Sequence, residues 1–416
     1  MNPRLHLLVG SIVAILFTVD GAQAKERARD LGIPLDGTPG QFNAITDVKG
    51  VEVGYTTLIK GEGKRVVGEG PVRTGVTAIL PRGRSSFQPV FAAFYIGNGN
   101  GDMTGTHWIE ESGVLETPVM ITNTLSVGTV RDAVIGWMVS KNAAGPFWYP
   151  VTAETSDGRL NDQKGQHVRA EHVIQALDSA RSGRIDEGNV GGGTGMLCNG
   201  FKGGTGTSSR VLSAEEGGYT VGVLVQCNYG QRSELRIAGI PVGREIQGYE
   251  PCVAQTLDPP VLRFDGTPAP VCGATSSSGA EEAEQGSIIV VAATDAPLTP
   301  DQLKRVVRRV SLGMGRLGSI HGNGSGDIFI AFSTANPDAD RGNSSSPVTA
   351  PAAIERLPSS RIDPLFTATV QATEEAIVNA MLAAETMTGA DYWRYYGIPH
   401  DELKKVLREH KRLVEN

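Results

Sequence analysis

The sequence predicts an α/β fold, a layered sandwich of sheets and helices. Short apolar runs of strand composition alternate along the chain with segments of helical period, and the strand-like runs are numerous enough to fill two sheets. A third observation concerns where a site would lie. The chain holds 53 glycines in 416 residues, about twice the usual share of roughly 7%. Many stand in short clusters without a collagen-like period, which fits tight turns and close backbone approaches around a site and fits equally a loop-rich β protein. The length allows two average domains or one large one.

In chain order, 41–55 reads as short extended segments. Runs 75–81 and 90–96 are β-rich and bounded by turn residues, and the Gly/Asn loop GNGNGD follows at 97–102. Residues 117–121 form a further strand. From 126 to 142 the apolar positions recur at helical spacing, with Val127, Val130, Val134 and Met138 on one face. A second helix is predicted over 167–181, a Gly/Thr loop over 191–206 and a buried strand over 220–226. Residues 250–286 then become rich in Pro, Ser and Glu and end in ATSSSGAEEAEQG, which has no apolar period and reads as a solvated loop. So long a loop inside a compact unit is either functional or a sign against the assignment. Immediately after it, 287–293 has the composition of a core strand. Thr299-Pro300, a capping residue followed by Pro, opens a helix expected to reach Leu317, with the basic run KRVVRRV at 304–310 on one face. A second Gly/Asn loop, GNGSGD at 322–327, a strand at 328–332, an Ala-rich helix at 369–388 and a basic helix at 400–413 complete the chain. The two Gly/Asn loops resemble each other, but six residues do not establish a repeat.

The net charge of −7 argues against a nucleic-acid partner, which needs a basic surface to neutralise phosphates. Residues 1–24 have the form of an export signal: Arg4 supplies a positive charge, 7–19 are mostly apolar, and Ala22-Gln23-Ala24 fits the small-x-small cleavage pattern. The apolar stretch is short for a membrane span and no later segment is apolar enough for one. The mature chain is therefore expected to begin at Lys25, in the periplasm or outside the cell, with no membrane partner. Export permits disulfides. Cys252 and Cys272 bracket a Pro-rich loop whose closure would add roughly 3 kcal/mol, whereas the apolar and Gly-rich surroundings of Cys198 and Cys227 read as buried thiols. Among the seven histidines there is no HExxH, and His167 and His172 stand five apart, a poor ligand spacing on a helix. With no CxxC, no P-loop and no GxGxxG at a strand–helix junction, neither a metal nor another cofactor is expected.

Ser287 stands between a polar loop ending in Gly286 and an apolar strand. A serine hydroxyl needs a base beside it, and an α-amine, with a reference pKa near ~7.7, is partly neutral at working pH. If the chain is cut between Gly286 and Ser287, one residue carries both nucleophile and base. A Gly-Ser turn entering a strand is the plain alternative. Gly318-Ser319 and Gly324-Ser325 are rival pairs, but neither joins a disposable loop to an apolar strand. Ser325 and Asp327 lie two apart before a strand and share a face if already extended, where they can relay protons. Ordinary turn chemistry explains the same residues. Asn228 follows a buried strand and is a candidate oxyanion donor or a turn residue. Glu154 is a candidate site for a substrate ammonium or a common surface carboxylate.

Several blocks in one order, from about Arg29 to Thr388, resemble the L-aminopeptidase/D-esterase and β-peptidyl aminopeptidase family of self-processing serine hydrolases. They are RARDLGIPLDGTPGQFNAITDVKGVEVG at 27–54, TNTLSVGTVRDAV at 122–134, AETSDG at 153–158, GGGTGMLCNGFKGGTGTSSR at 191–210, VQCNYGQRSELRIAG at 225–239, GSIIVVAATDAPL at 286–298 and GNGSGDIFIAFSTAN at 322–336. The resemblance implies a four-layer αββα sandwich like that of the N-terminal-nucleophile hydrolases, differently connected. It implies cleavage into an α chain, 25–286, with a flexible processing loop at 250–286, and a β chain, 287–416, which stay together as one catalytic domain. It implies Ser287 as nucleophile, Ser325 and Asp327 as assistants of its amine, Asn228 as oxyanion donor and Glu154 as holder of the substrate's amino group. It also implies a homotetramer or related homo-oligomer. Two positions depart from the family expectation: Ser156 stands where an aromatic is expected, which bears on specificity, and Asp327 where some relatives carry Glu.

The function expected is that of a serine aminopeptidase acting on short peptides, amides or esters with a free amino end, on the β-peptidyl side of the family because of the export signal. An acyltransferase like the self-cleaving ornithine acetyltransferases is the alternative, although those use Thr as the new first residue. The other is an exported binding protein of the same fold.

Overall fold

The computed structural model describes residues 25–143, 145, 147–263, 265–274, 286–337 and 353–414. The expected export signal and the acidic end of the processing loop, 275–285, lie outside them. The first half of the chain forms β1 (Glu52–Lys60), β2 (Val72–Leu80), β3 (Val90–Gly99), α1 (Thr106–Ser112), β4 (Val114–Leu115), β5 (Val119–Asn123), α2 (Val127–Ser140), β6 (Val151–Thr155) and α3 (Ala170–Asp178). It continues through β7 (Leu197–Cys198), β8 (Phe201–Lys202), β9 (Gly204–Val211), β10 (Thr220–Asn228), α4 (Val242–Glu245) and β11 (Cys252–Val253). The last part forms β12 (Ser287–Thr294), α5 (Pro300–Val307), α6 (Val310–Arg316), β13 (Gly326–Ser333), α7 (Asp363–Leu382), β14 (Met387–Thr388), β15 (Trp393–Tyr395) and α8 (His400–Glu409).

Two sheets face each other. One has the order β1-β2-β5-β6 and the other β4-β3-β13-β12-β10-β9. Between them lie Val53, Ile79, Ile121 and Ala153 from the first sheet against Leu224, Ile289, Val291, Ile328 and Ile330 from the second. The outer face of the first sheet packs Val76, Ala78 and Met120 on Val130, Val134, Trp137 and Met138 of α2 and Val173 and Leu177 of α3. The outer face of the second packs Val223, Val290 and Phe329 on apolar residues of α5, α6, α7 and α8. The result is the four-layer αββα sandwich. It explains why SIIVVAAT in β12 lacks polar alternation: the strand is buried along its whole length, with apolar layers on both faces.

Several local expectations are corrected. The helix expected over 299–317 divides at Arg308 and Arg309 into α5 and α6. Two of its basic residues lie against an aromatic ring of the neighbouring helix: the Arg309 guanidinium is 3.7 Å from the Phe366 ring of α7, with Arg305 5.1 Å from the same ring. The 191–206 segment is not an open loop; it holds a tight helical turn at Gly191–Gly195, the β7–β8 hairpin and the start of β9. Residues 250–274 are not structureless either, since β11 pairs with β15 and Cys252 is bridged to Cys272. Cys198 and Cys227 are not thiols but a second disulfide, with Cα atoms 5.6 Å apart. The hairpin carrying Cys198 folds back beside β10, a tertiary approach that the local apolar context does not reveal.

The start of β12, the start of β13, the end of β10 and the end of β3 converge at one margin of the six-stranded sheet. Ser287 pairs with Asn228 on one side and with Gly326 on the other, and Gly326 pairs with Gly99.

Candidate active site

Ser287 opens β12 with its hydroxyl held at both ends. Its Oγ donates to Gly286 O at 2.7 Å and accepts from Gly326 N–H at 3.1 Å. The same N–H reaches Gly286 O, also at 3.1 Å. With the Gly286–Ser287 peptide intact, hydroxyl, carbonyl and donor form a single compact group.

Asn228 lies directly opposite Ser287 in antiparallel register, so both side chains stand on the face between the sheets. Its amide orientation follows from unambiguous backbone partners: Leu197 N–H donates to Oδ1 at 2.8 Å, and Nδ2 donates to Ser156 O at 3.1 Å. The second N–H has no hydrogen-bond partner among the described residues. Asn228 is therefore a fixed strand-end group and not a turn residue. The β7–β8 hairpin that supplies Leu197 is anchored twice. Cys198 is bridged to Cys227, and the buried Lys202 ammonium donates to Met196 O at 2.8 Å and Gly203 O at 2.7 Å. Burial pushes the Lys202 pKa well down, with Lys25 adding to the effect.

Ser325 and Asp327, for which spacing alone favoured ordinary turn chemistry, are joined by a hydrogen bond, Ser325 Oγ donating to Asp327 Oδ1 at 2.5 Å. Both are fully buried. Register adds what spacing does not show. Asp327 pairs with Ile288, which faces the outer helices with Phe329, whereas Ser287 lies on the Ile289 face between the sheets. The pair therefore sits across the strand plane from the Ser287 hydroxyl and flanks the nucleophile's backbone end. The GNGNGD loop clamps this region from β3. Asn98 Nδ2 donates to Ser325 O and to Asn323 O, and Asn100 Nδ2 donates to Gly324 O at 2.9 Å.

Glu154 is 3% exposed, so it is not the surface carboxylate of the ordinary reading. It is the penultimate residue of β6, where Asp102 N–H donates to Oε1 at 3.0 Å and Thr124 Oγ1 donates to Oε2. Burial raises its pKa, against the lowering effect of those two donors. No cationic side chain pairs with it among the described residues. A Cβ on Gly101 would stand 3.2 Å from Glu154 Oε1 and 3.1 Å from Gly326 Cα. The carboxylate and the backbone beside Ser287 thus flank the same glycine, where a side chain would crowd both. Gln226 ties the sheets together nearby, its Nε2 donating to Thr122 O and Thr155 Oγ1. Ser156 is exposed at the rim.

The fold thus gathers Ser287, Asn228, Asp327 and Glu154 from four strands, and Ser325 from the turn before β13, at one end of the sandwich. Sequence reasoning missed the backbone donors Gly326 N–H, Leu197 N–H and Asp102 N–H, which no side-chain pattern announces. It also missed His321, whose Nδ1 lies 2.6 Å from Asp327 Oδ2. A lone histidine before a Gly/Asn loop has no spacing signature.

The model of peptidase family S58 matches residues 43–394. Beta-peptidyl aminopeptidase BapA of Sphingosinicella microcystinivorans is 50% identical over 413 residues, 98% of this chain and 99% of the relative. The protein of that name from Sphingosinicella xenopeptidilytica is 46% identical over 407 residues, covering 97% and 96%. Among solved structures, a Burkholderia sp. beta-aminopeptidase superposes with a TM-score of 0.78 at 45% identity, covering 92% of this chain and 99% of that one. The L-aminopeptidase D-Ala-esterase/amidase of Ochrobactrum anthropi, described as a prototype for the serine aminopeptidases and a new variant among the Ntn-hydrolase folds, superposes with a TM-score of 0.79 at 45% identity, covering 93% and 99%. Family, fold and the convergence of these side chains agree: the chain belongs to peptidase family S58 and is a peptidase built on a variant of the Ntn-hydrolase sandwich.

Proposed function

We propose that this peptidase is an exported, self-processing β-peptidyl aminopeptidase, with Ser287 as the nucleophile of both its own cleavage and substrate turnover. One observation carries the reading: the Ser287 hydroxyl, the Gly286 carbonyl and the Gly326 N–H form one hydrogen-bonded group at the mouth of a buried strand. In the processing step Oγ attacks the Gly286 carbonyl carbon. The negative charge develops on Gly286 O, already 3.1 Å from the Gly326 N–H. The C–N bond breaks, the nitrogen takes up the proton that Oγ gives up and becomes the free α-amine of Ser287, and water hydrolyses the resulting ester to restore the Ser287 hydroxyl and leave Gly286 as a carboxylate. The products are an α chain ending at Gly286 and a β chain beginning at Ser287.

In turnover the freed amine accepts the Oγ proton as Oγ attacks the substrate carbonyl. The second N–H of Asn228, on the same face as Ser287, stabilises the oxyanion. Ser325 and Asp327 serve the amine from across the strand plane. The substrate's own ammonium supplies the cation that the buried Glu154 carboxylate lacks, which selects chains with a free amino end. The names of the two Sphingosinicella relatives support β-peptides as the substrate class, and the small, exposed Ser156 leaves the rim of the site open. The export signal supports a periplasmic or secreted location, and the family resemblance supports a homo-oligomer. The test is the intact mass of the purified protein under reducing, denaturing conditions beside its Ser287→Ala variant. Two fragments in the wild type, the smaller beginning at Ser287, and one chain in the variant are expected. Cleavage at the same bond in Ser287→Ala would refute the mechanism.

A further inference from the structure

The contacts of His321 reach beyond the residues already given roles. Its Nδ1 lies 2.6 Å from Asp327 Oδ2 and its Nε2 2.9 Å from Ser311 Oγ on α6. Asp327 therefore has both oxygens engaged, Oδ1 by Ser325 and Oδ2 by His321. The ring is seated with some strain. His321 holds a left-handed backbone, φ +52°, which a non-glycine residue adopts only when the surroundings impose it. The ring occupies space that a side chain at residue 97 would take, since a Cβ on Gly97 would stand 2.7 Å from it. The Phe329 ring flanks it at 5.9 Å. Backbone strain, a vacated neighbouring position and two hydrogen bonds all serve to hold one imidazole against one carboxylate.

We propose that His321 is a positioning residue for the reaction: Ser311, His321, Asp327 and Ser325 form a continuous hydrogen-bonded chain whose last two members bracket Gly326, the strand partner of Ser287. Donation from Nδ1–H to Asp327 Oδ2 fixes the tautomer, leaving Nε2 to accept from the Ser311 hydroxyl. With Oδ2 held, the carboxylate cannot rotate, and Oδ1 stays directed at Ser325. An aspartate has a shorter arm than a glutamate, and a second anchor fixes where that arm ends. Among the described residues the imidazole's hydrogen bonds go to Asp327 and Ser311 and not to Ser287, so its effect passes through Asp327. The inference rests on the proposal that Ser325 and Asp327 serve the amine.

The test separates the ring from its backbone. His321→Gly keeps the left-handed conformation and deletes the imidazole. His321→Asn also tolerates that conformation and restores an N–H near the Nδ1 position. Hydrolysis of an aminoacyl p-nitroanilide with a free amino group is measured for both, with and without added imidazole, together with the melting temperature. His321→Gly is expected to lose roughly 10- to 100-fold in kcat with little change in KM, taking as a scale the loss found when outer partners of metal ligands are removed. His321→Asn, or imidazole added to His321→Gly, is expected to recover most of the loss. Ser311→Ala, which leaves the ring in place, is expected to lose less than His321→Gly. Equal activity of His321→Gly and wild type, with Asp327→Asn inactive, would overturn the role of His321 and leave the Ser325–Asp327 reading standing. Equal losses in His321→Gly and His321→Asn, unresponsive to imidazole and matched by lower melting temperatures, would reduce the residue to a structural one. A fully active Asp327→Asn would overturn both proposals.

Discussion

Asp157 offers a measurement in which burial has a calculable sign. It follows Ser156, whose carbonyl holds Asn228, and it is fully buried. Asn161 Nδ2 donates to its Oδ1 at 3.0 Å. Burial raises its pKa from the ordinary value to about 7, and the Thr74, Asn161 and Asn123 groups beside it offset that only in part. An unfolded aspartate releases its proton near ~3.9. Below about pH 4 both states hold the proton. Between there and about pH 7 the folded state binds more protons than the unfolded one, so stability falls as pH rises, by up to roughly 1.4 kcal/mol per unit. The sum is on the order of 4 kcal/mol, and the fall ends above the folded-state value. Asp157→Asn removes the titration while keeping an acceptor for Asn161. The stability of Asp157→Asn relative to the parent should therefore increase with pH from 4 to 8 and then level. Urea unfolding midpoints across that range, both chains carrying Ser287→Ala so that each is a single polypeptide, measure it. A difference independent of pH, or one that shrinks as pH rises, would mean that the folded protein holds Asp157 ionised and that the argument from burial is wrong.

Other outcomes follow from the site. Ser287→Ala should abolish both chain cleavage and turnover, read by intact mass and by amide hydrolysis. Asn228→Ala should lower kcat by about 10²- to 10³-fold if its free N–H meets the oxyanion; it also strips Leu197 N–H and Ser156 O of their partner, so the melting temperature should fall as well. A kcat within a few-fold of wild type would remove Asn228 from the oxyanion role. Glu154→Gln should raise KM for substrates with a free amino group far more than it lowers kcat. In the wild type, KM should rise as pH falls through the Glu154 pKa, which burial sets above that of an ordinary carboxylate; a KM insensitive to both changes would place the ammonium elsewhere.

Much of this protein was legible before any coordinates. The apolar run after Gly286, the caps and periods of the helices, and the Ser-x-Asp spacing at 325–327 are local properties, and local propensity and pattern report them directly. The blocks around Ser287, Asn228 and Glu154 carry a family resemblance that the comparisons support. What the chain could not announce depends on approaches between distant segments. Cys198 meets Cys227 because a hairpin folds back on β10. Glu154 is buried because the loop at 97–102 and Thr124 close over the end of β6. His321 finds Asp327 because Gly97, some 220 residues away in sequence, has no side chain to occupy the ring's place. Asp327 and the Ser287 hydroxyl lie on opposite faces of one sheet, and only the pairing of β12 with β13 reveals it. Periodicity says which face of a strand is apolar. Which neighbour a strand pairs with, and in which register, is set by packing among elements far apart in the chain, and that pairing decides which of the candidate residues meet.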